Sequence, residues 1–336
     1  MNGLSENSRK PRHRTRLSRE DKVELLVEIA RAYYEQNHDQ GKIAQSLGIS
    51  RSQVSRYLTQ AKELNLVQVR VIAPNERITK VETVLEQRFD FLKKAIIVPA
   101  FNLQPEQLRK TIGRACAQYL EQIVRPGLRI CIGSGRTLCE VCKWLRPARI
   151  PYISVVQAMG NVGHEAMDID FNQMALAAAN AFGAKVSFLN APAILGSGTV
   201  KELIDANPTI QEALKIAHTA DLYLFGIGSL SSDLIFTRGG IFTLQDLEQL
   251  REAGSVGDIC ARFFDINGVE IPSSFENRIV GISLDDLRSR ALTVAVAGGI
   301  DKILPLIGAL HGNLIKVLIT DELTASAILD YESERR

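Results

Sequence analysis

The sequence predicts a two-part α/β protein: an N-terminal winged helix-turn-helix, then a mostly parallel α/β domain. Three observations predict it. Residues 39–70 hold two short helical patterns joined by a glycine-containing turn. From residue 94 onward, short apolar runs alternate with helical patterns. Charge divides at the same place, with 13 Lys/Arg against 8 Asp/Glu in residues 1–73 and 27 against 30 in the remainder. A length of 336 residues suits two domains. A basic first part on a mildly acidic body fits nucleic-acid binding confined to the N-terminus.

The expected boundaries are 1–18, 19–73, 74–92 and 93–336. Residues 1–18 carry Arg9, Lys10, Arg12, His13, Arg14 and Arg16 without apolar periodicity. They form a basic arm that reaches a minor groove or phosphates, or a solvated, disordered tail. A first helix follows over 19–36, with Val23, Leu26, Val27, Ala30, Tyr33 and Tyr34 on its core face.

In IAQSLGISRSQVSRYL, Ile43, Ala44 and Leu47 recur at helical spacing until Gly48 breaks the run. Ser50 is a good N-cap for a second helix whose inner face is Val54, Leu58 and Ala61. Such a pair lays the N-terminal part of its second helix in the major groove. The outward residues there are Arg51, Ser52, Gln53, Ser55 and Arg56. Arginine suits guanine, glutamine suits adenine, and serine suits either base edges or phosphate. Leu66 to Val71 alternates apolar and polar residues, as a β-wing would.

Residues 76–92 place Ile78, Val81, Leu85, Phe89 and Leu92 at steps of three and four, an amphipathic linker or dimerisation helix. The body then predicts strands at 95–98, 128–132, 152–157, 185–189, 221–226, 258–264, 279–282, 290–297 and 314–319. Helices are expected at 106–124, 137–145, 170–182, 199–205, 209–218, 243–253, 300–310 and 321–331. This alternation argues for a parallel sheet covered by helices, with ligands at the carboxyl ends of its strands.

Three loops lie at such ends. Gly133-Ser134-Gly135-Arg136-Thr137 follows an apolar strand and opens a helix, where hydroxyls and free amides hold phosphate or sugar oxygens, or simply make a turn. It matches neither a Walker A loop nor a GxGxxG fingerprint. Gly226-Ile227-Gly228-Ser229 is the second. In the third, Gly298-Gly299-Ile300-Asp301-Lys302, Lys302 sits in a first helical turn where the macrodipole favours acids. It faces an anion there, or is a surface lysine. Asp258 accepts sugar hydroxyls or starts a strand, and Gln157, Asn161 and Asp170 are ligand contacts or polar turn and cap residues.

Cys116, Cys131, Cys139, Cys142 and Cys260 make an odd count without a disulfide framework, which fits reduced thiols in the cytoplasm. Cys139 and Cys142 have CxxC spacing but no second pair or nearby histidine, so they read as core or helix-surface residues rather than a metal site. No apolar run is long enough to span a membrane.

The ordered set IAQSLGISRSQVSRYL, GSGRT, GIGS, GDICARFFD, VAGGIDK and LITDELTASAIL resembles the SorC family of sugar-responsive bacterial transcriptional regulators, over about residues 20 to 331. The resemblance implies a C-terminal domain similar to sugar-phosphate isomerases and glucosamine-phosphate deaminases but serving as a sensor. It implies a phosphorylated sugar or polyol effector, operator DNA, a homodimer or homotetramer, and no cofactor. By motif, Gly133, Ser134, Gly135, Arg136 and Thr137 would hold the effector's phosphate. Asp258 would contact its hydroxyls, and Lys302 its phosphate or a sugar oxygen. Gln157, Asn161 and Asp170 lie where members vary and would select the sugar. Arg136 departs from the smaller residues common at its place. The rival expectation is an isomerase- or deaminase-like enzyme fused to a DNA-binding domain. Such chemistry needs a base beside the substrate carbon. Only His164 and His311 lie near the loops, neither in a convincing acid/base pair, so no catalytic residue is expected.

Overall fold

The computed structural model describes residues 19–64, 66–67, 74–100, 103–162, 170–231, 234–289 and 292–335. The chain divides into two compact units, one up to Ile72 and the other from Ala73 onward.

Among its described residues the first unit has three helices: α1 (Arg19–Tyr34), α2 (Gln40–Leu47) and α3 (Arg51–Glu63). Their common core is Leu26, Ile29 and Ala30 from α1, Ile43 and Ala44 from α2, and Val54, Leu58 and Ala61 from α3. Asp39 caps α2 by accepting from the amides of Gly41 (2.8 Å) and Lys42 (3.0 Å). Gly48, at φ 63°, ends α2 in the left-handed conformation that glycine tolerates best. Val67 packs on Leu26, Ala30 and Ala61. The basic arm, and Gln68 to Val71 of the expected wing, lie outside the described residues.

The second unit opens with α4 (Pro74–Arg88) and continues β1 (Lys94–Val98), α5 (Pro105–Ile123), β2 (Arg129–Ile132), α6 (Arg136–Trp144), β3 (Ser154–Gln157), α7 (Phe171–Phe182) and β4 (Lys185–Ser187). Then come α8 (Val200–Ala206), α9 (Pro208–His218), β5 (Leu222–Phe225), β6 (Gly228–Ser229), α10 (Ile235–Arg238), α11 (Leu244–Glu252), β7 (Gly257–Ile259) and β8 (Arg262–Phe264). It closes with α12 (Leu284–Ser289), β9 (Leu292–Val296), α13 (Ile303–His311), β10 (Val317–Asp321) and α14 (Glu322–Glu334).

Among the described residues, seven strands form a parallel sheet in the order β1-β10-β9-β5-β2-β3-β4. They are short and almost wholly apolar, as strands covered on both faces must be. From β2 the chain winds one way through β3 and β4, and then the other way through β5, β9 and β10. The reversal falls between β2 and β5, where open α/β sheets hold their ligands.

Helix α4 puts Leu85 into the body's core, followed by Phe89 and Leu92, with Ile78 and Val81 partly buried against it. The apolar face is thus covered by the chain's own body. The same helix closes the open edge of β1, because Glu86 accepts from the Ala95 amide (2.8 Å) and Glu82 from the Ile97 amide (2.9 Å). Those amides would otherwise offer a pairing edge to another strand.

Two body expectations need correcting. The single strand expected at 258–264 is two antiparallel strands, β7 and β8, turning at Cys260 (φ 51°) and Ala261 (φ 65°). Neither residue favours positive φ, and Asp258 holds the turn by accepting the Ala261 amide at 3.1 Å. Residues 279–282 form only isolated bridges, Ile279 to Ile194 and Gly281 to Met159. Helices α10 and α12 lie between the segments expected to be regular.

Candidate functional site

Each unit carries its own candidate site. In the first, the buried stripe of α3 fixes which side chains face outward. Arg51, Ser52, Ser55 and Arg56 are exposed, and Gln53 is half-buried. The first turn is a capping box: Ser50 Oγ accepts the Gln53 amide (3.2 Å) while Gln53 Oε1 accepts the Ser50 amide (2.9 Å). The five residues expected to read DNA therefore share the N-terminal half of one solvent-facing helix.

In the second unit, a cavity of about 960 Å³ opens at the carboxyl ends of β2, β5, β9 and β10. Ser134, Gly135, Arg136 and Thr137 line one side of it. Gly135 is the N-cap of α6 and has no side chain to cap it, so the first-turn amides of α6 begin beside the cavity without a side-chain cap. Gly133 sits one step behind, its amide bonded to Leu224 O at 2.7 Å.

Asp258 and Lys302 line the same cavity. Strand β6 pairs with β7 so that Gly228 lies against Asp258. A Cβ on Gly228 would fall 1.8 Å from Asp258 Oδ1, so any other residue there would displace the carboxylate. The Asp258 carboxyl is 5% exposed. Burial pushes its pKa up to about 6, against the Ala261 amide and the distant charge of Lys302. Its Oδ1 is buried and finds no hydrogen-bond partner among the described residues. Lys302 Nζ donates to Ser229 Oγ (3.0 Å) and pairs with Asp301 (3.0 Å). Ser229 Oγ donates to Asp301 at 2.8 Å. Burial opposes the Asp301 charge, yet Lys302 and Ser229 hold its pKa below the ordinary carboxylate value. Lys302 stands in a short 3-10 turn ahead of α13, and its charge is met by a neighbouring carboxylate.

The structure does not bring Gln157, Asn161 and Asp170 to the cavity wall. The buried Gln157 donates to Asn172 (2.8 Å) and Asn161 (3.4 Å) and accepts from the Leu189 amide (2.7 Å). Asp170 caps α7 through the Asn172 amide at 2.8 Å. Met159, two residues after Gln157, does line the cavity and takes a 3.8 Å contact from Ser134 Oγ.

Several wall residues had no part in the expected site. Asp321 ends β10, caps α14 and accepts from the Gly299 amide (2.9 Å) and the Thr324 hydroxyl (2.6 Å). Its place between an apolar strand and a helix was an available signal. Arg109 on α5 and Arg238 on α10 also line the wall, where only tertiary packing brings them. His311 is elsewhere, bonded to Ile266 O and Glu332, each at 2.8 Å, and His164 lies outside the described residues. All five cysteines are free thiols, and burial pushes Cys142 and Cys260 up to about 12. Among the described residues, no helix is long and apolar enough to cross a membrane.

Residues 73–330 match the family described as "Putative sugar-binding domain". The chain is 30% identical over 312 residues to the deoxyribonucleoside regulator of Bacillus subtilis, covering 92% of this chain and 98% of that one. It is 27% identical to the sorbitol operon regulator of Klebsiella pneumoniae, with the same two coverages. Among solved structures, the full-length sorbitol operon regulator SorC of Klebsiella pneumoniae superposes with a TM-score of 0.71 at 26% identity, over 92% of this chain and 99% of that one. The sugar-binding domain of a Vibrio fischeri transcriptional repressor gives 0.69 at 26% identity, over 76% and 99%.

Proposed function

This chain belongs to the SorC family of sugar-responsive transcriptional regulators, and from that premise we propose a division of labour between its two sites. Helix α3 reads operator DNA, with Arg51, Ser52, Gln53, Ser55 and Arg56 at phosphates and base edges. The cavity between β2 and β5 senses a small phosphorylated sugar or polyol. Relatives named for a sorbitol operon and for deoxyribonucleosides support a carbohydrate-derived effector.

The observation that carries the sensing role is Asp258. A buried carboxylate oxygen with no donor among the described residues, lining the cavity at the sheet's reversal point, asks for a hydroxyl from outside the chain. Across the cavity, the uncapped start of α6 with Ser134, Arg136 and Thr137 suits a phosphate. Lys302, already balanced by Asp301, suits a sugar oxygen better than a second anion. Gln157, Asn161 and Asp170, whose bonds run to the chain itself, brace the end of β3 and the start of α7 rather than touch the ligand. No catalytic step is assigned to this cavity, whose role is recognition. The protein works in the cytoplasm as a homo-oligomer on paired half-sites, because one recognition helix reads too few base pairs alone.

The route outward begins at Asp321. It lines the cavity and caps α14, whose next residue, Glu322, pairs with Arg77 on α4. Further along α14, Glu332 pairs with Arg88 on α4 at 2.5 Å. Effector contacts that shift α14 therefore bias α4, which connects the body to the DNA-reading unit.

Thermal-shift titration with sugar phosphates, free sugars and polyols tests the sensing role. A phosphorylated ligand should raise the melting temperature by mass action in the wild type and not in Asp258→Asn. A shift of equal size in both would remove Asp258 from the site. Turnover of any such ligand would establish the rival enzyme reading.

A further inference from the structure

The start of α3 limits what Gln53 can read. A glutamine in a major groove ordinarily recognises adenine with both ends of its amide, the carbonyl accepting from N6 and the amino group donating to N7. Here the carbonyl end is committed. Gln53 Oε1 accepts the Ser50 amide at 2.9 Å and the Ser50 hydroxyl at 3.1 Å. The orientation of the amide follows from chemistry: a backbone N–H needs an acceptor, and the amino end only donates. Ser52 is similarly engaged, its hydroxyl sharing a hydrogen bond with Ser50 Oγ at 2.9 Å. What Gln53 has left to present is Nε2, a donor alone.

We propose that Gln53 is a donor-only base reader, selecting guanine and rejecting cytosine at the position it meets. Guanine offers two major-groove acceptors, N7 and O6, and thymine offers O4. Adenine sets a donor beside its N7, which opposes a second donor. Cytosine offers only its N4 donor. This inference rests on the reading of α3 as the DNA-reading helix.

The test is selection from randomised duplexes by the full-length chain as wild type, Gln53→Glu, Gln53→Ala and Arg56→Ala. Glutamate keeps an acceptor for Ser50, so the cap survives, but it turns the outward donor into an acceptor. The wild type should show one position where guanine exceeds cytosine about tenfold, the size of an ordinary mismatch effect. Gln53→Glu should reverse that position to cytosine, and Gln53→Ala should flatten it, with the other positions unchanged. The same selected sequence for wild type and Gln53→Glu, both melting alike, overturns the inference. So does an adenine preference at the Gln53 position, which would mean that the carbonyl leaves the cap. If Arg56→Ala weakens binding while both Gln53 variants keep the wild-type sequence, α3 still reads DNA and only the Gln53 assignment falls. If the wild type selects no sequence, the reading of α3 falls, and this inference with it.

Discussion

Asp258→Asn should stabilise the protein while abolishing its response to effector. In the folded chain, burial lifts the Asp258 pKa from 3.8 to about 6. A raised carboxyl pKa means that folding favours the neutral form. Below about pH 3.8 the carboxyl is protonated in both states and contributes nothing. Between there and pH 6 the unfolded chain ionises first, so stability falls as pH rises. Above pH 6 the full penalty stands, and a shift of about two units corresponds to roughly 3 kcal/mol. Asparagine can still accept the Ala261 amide through its carbonyl, but its amino group enters the cavity without an acceptor, which takes back part of the gain. The expected net effect at pH 7.5 is about 1–3 kcal/mol of added stability, or several degrees in melting temperature for a unit of this size. Denaturant titrations at pH 4 and pH 7.5 measure it. The difference between variant and wild type should nearly vanish at pH 4. A variant less stable than wild type at pH 7.5, or equally stabilised at both pH values, would refute the argument that an ionised carboxylate with one unpartnered oxygen is held in the cavity. A variant stabilised at pH 7.5 alone makes the native residue a case of stability given up for binding.

Other perturbations follow from the same geometry. Gly228→Ala drives a methyl into Asp258 Oδ1, so it should abolish the effector's melting shift while the DNA affinity of the unliganded protein stays near wild type. Arg88→Met leaves Glu332 with His311 as its one partner among the described residues, in a site where the side chain is 5% exposed. The loss in chemical denaturation should be about 2 kcal/mol, below the 3–5 typical of a fully buried pair because Arg88 is one-third exposed. Glu322→Gln should keep the effector's melting shift but reduce its effect on DNA affinity, read by anisotropy with and without ligand.

The parts of the fold that rest on local signals could be read from the chain. Ser50, Gly48 and the Val54, Leu58, Ala61 stripe placed α2 and α3 because caps and helical spacing act within a few residues. The apolar runs at β1, β2, β3, β5, β9 and β10 announced buried parallel strands for the same reason. Gly133–Thr137, Asp258 and Lys302 could be marked because each follows or opens a strand. What escaped depends on partners far away in sequence. The Cys260-Ala261 turn carries no glycine or asparagine, since a carboxylate two or three residues back enforces it. Arg109 and Arg238 reach the cavity only through helix packing. The bonds of Gln157 to Asn161, Asn172 and the Leu189 amide likewise depend on neighbours that strand spacing does not reveal.

In the proposed function, occupancy of the β2/β5 cavity controls the hold of α3 on DNA. The direct measurement is fluorescence anisotropy on a selected duplex, titrated with the sugar phosphate that gives the largest melting shift. This ligand should change DNA affinity at least fivefold in the wild type, a coupling of about 1 kcal/mol, and not at all in Asp258→Asn. A ligand that binds the cavity tightly and leaves DNA affinity unchanged would contradict it.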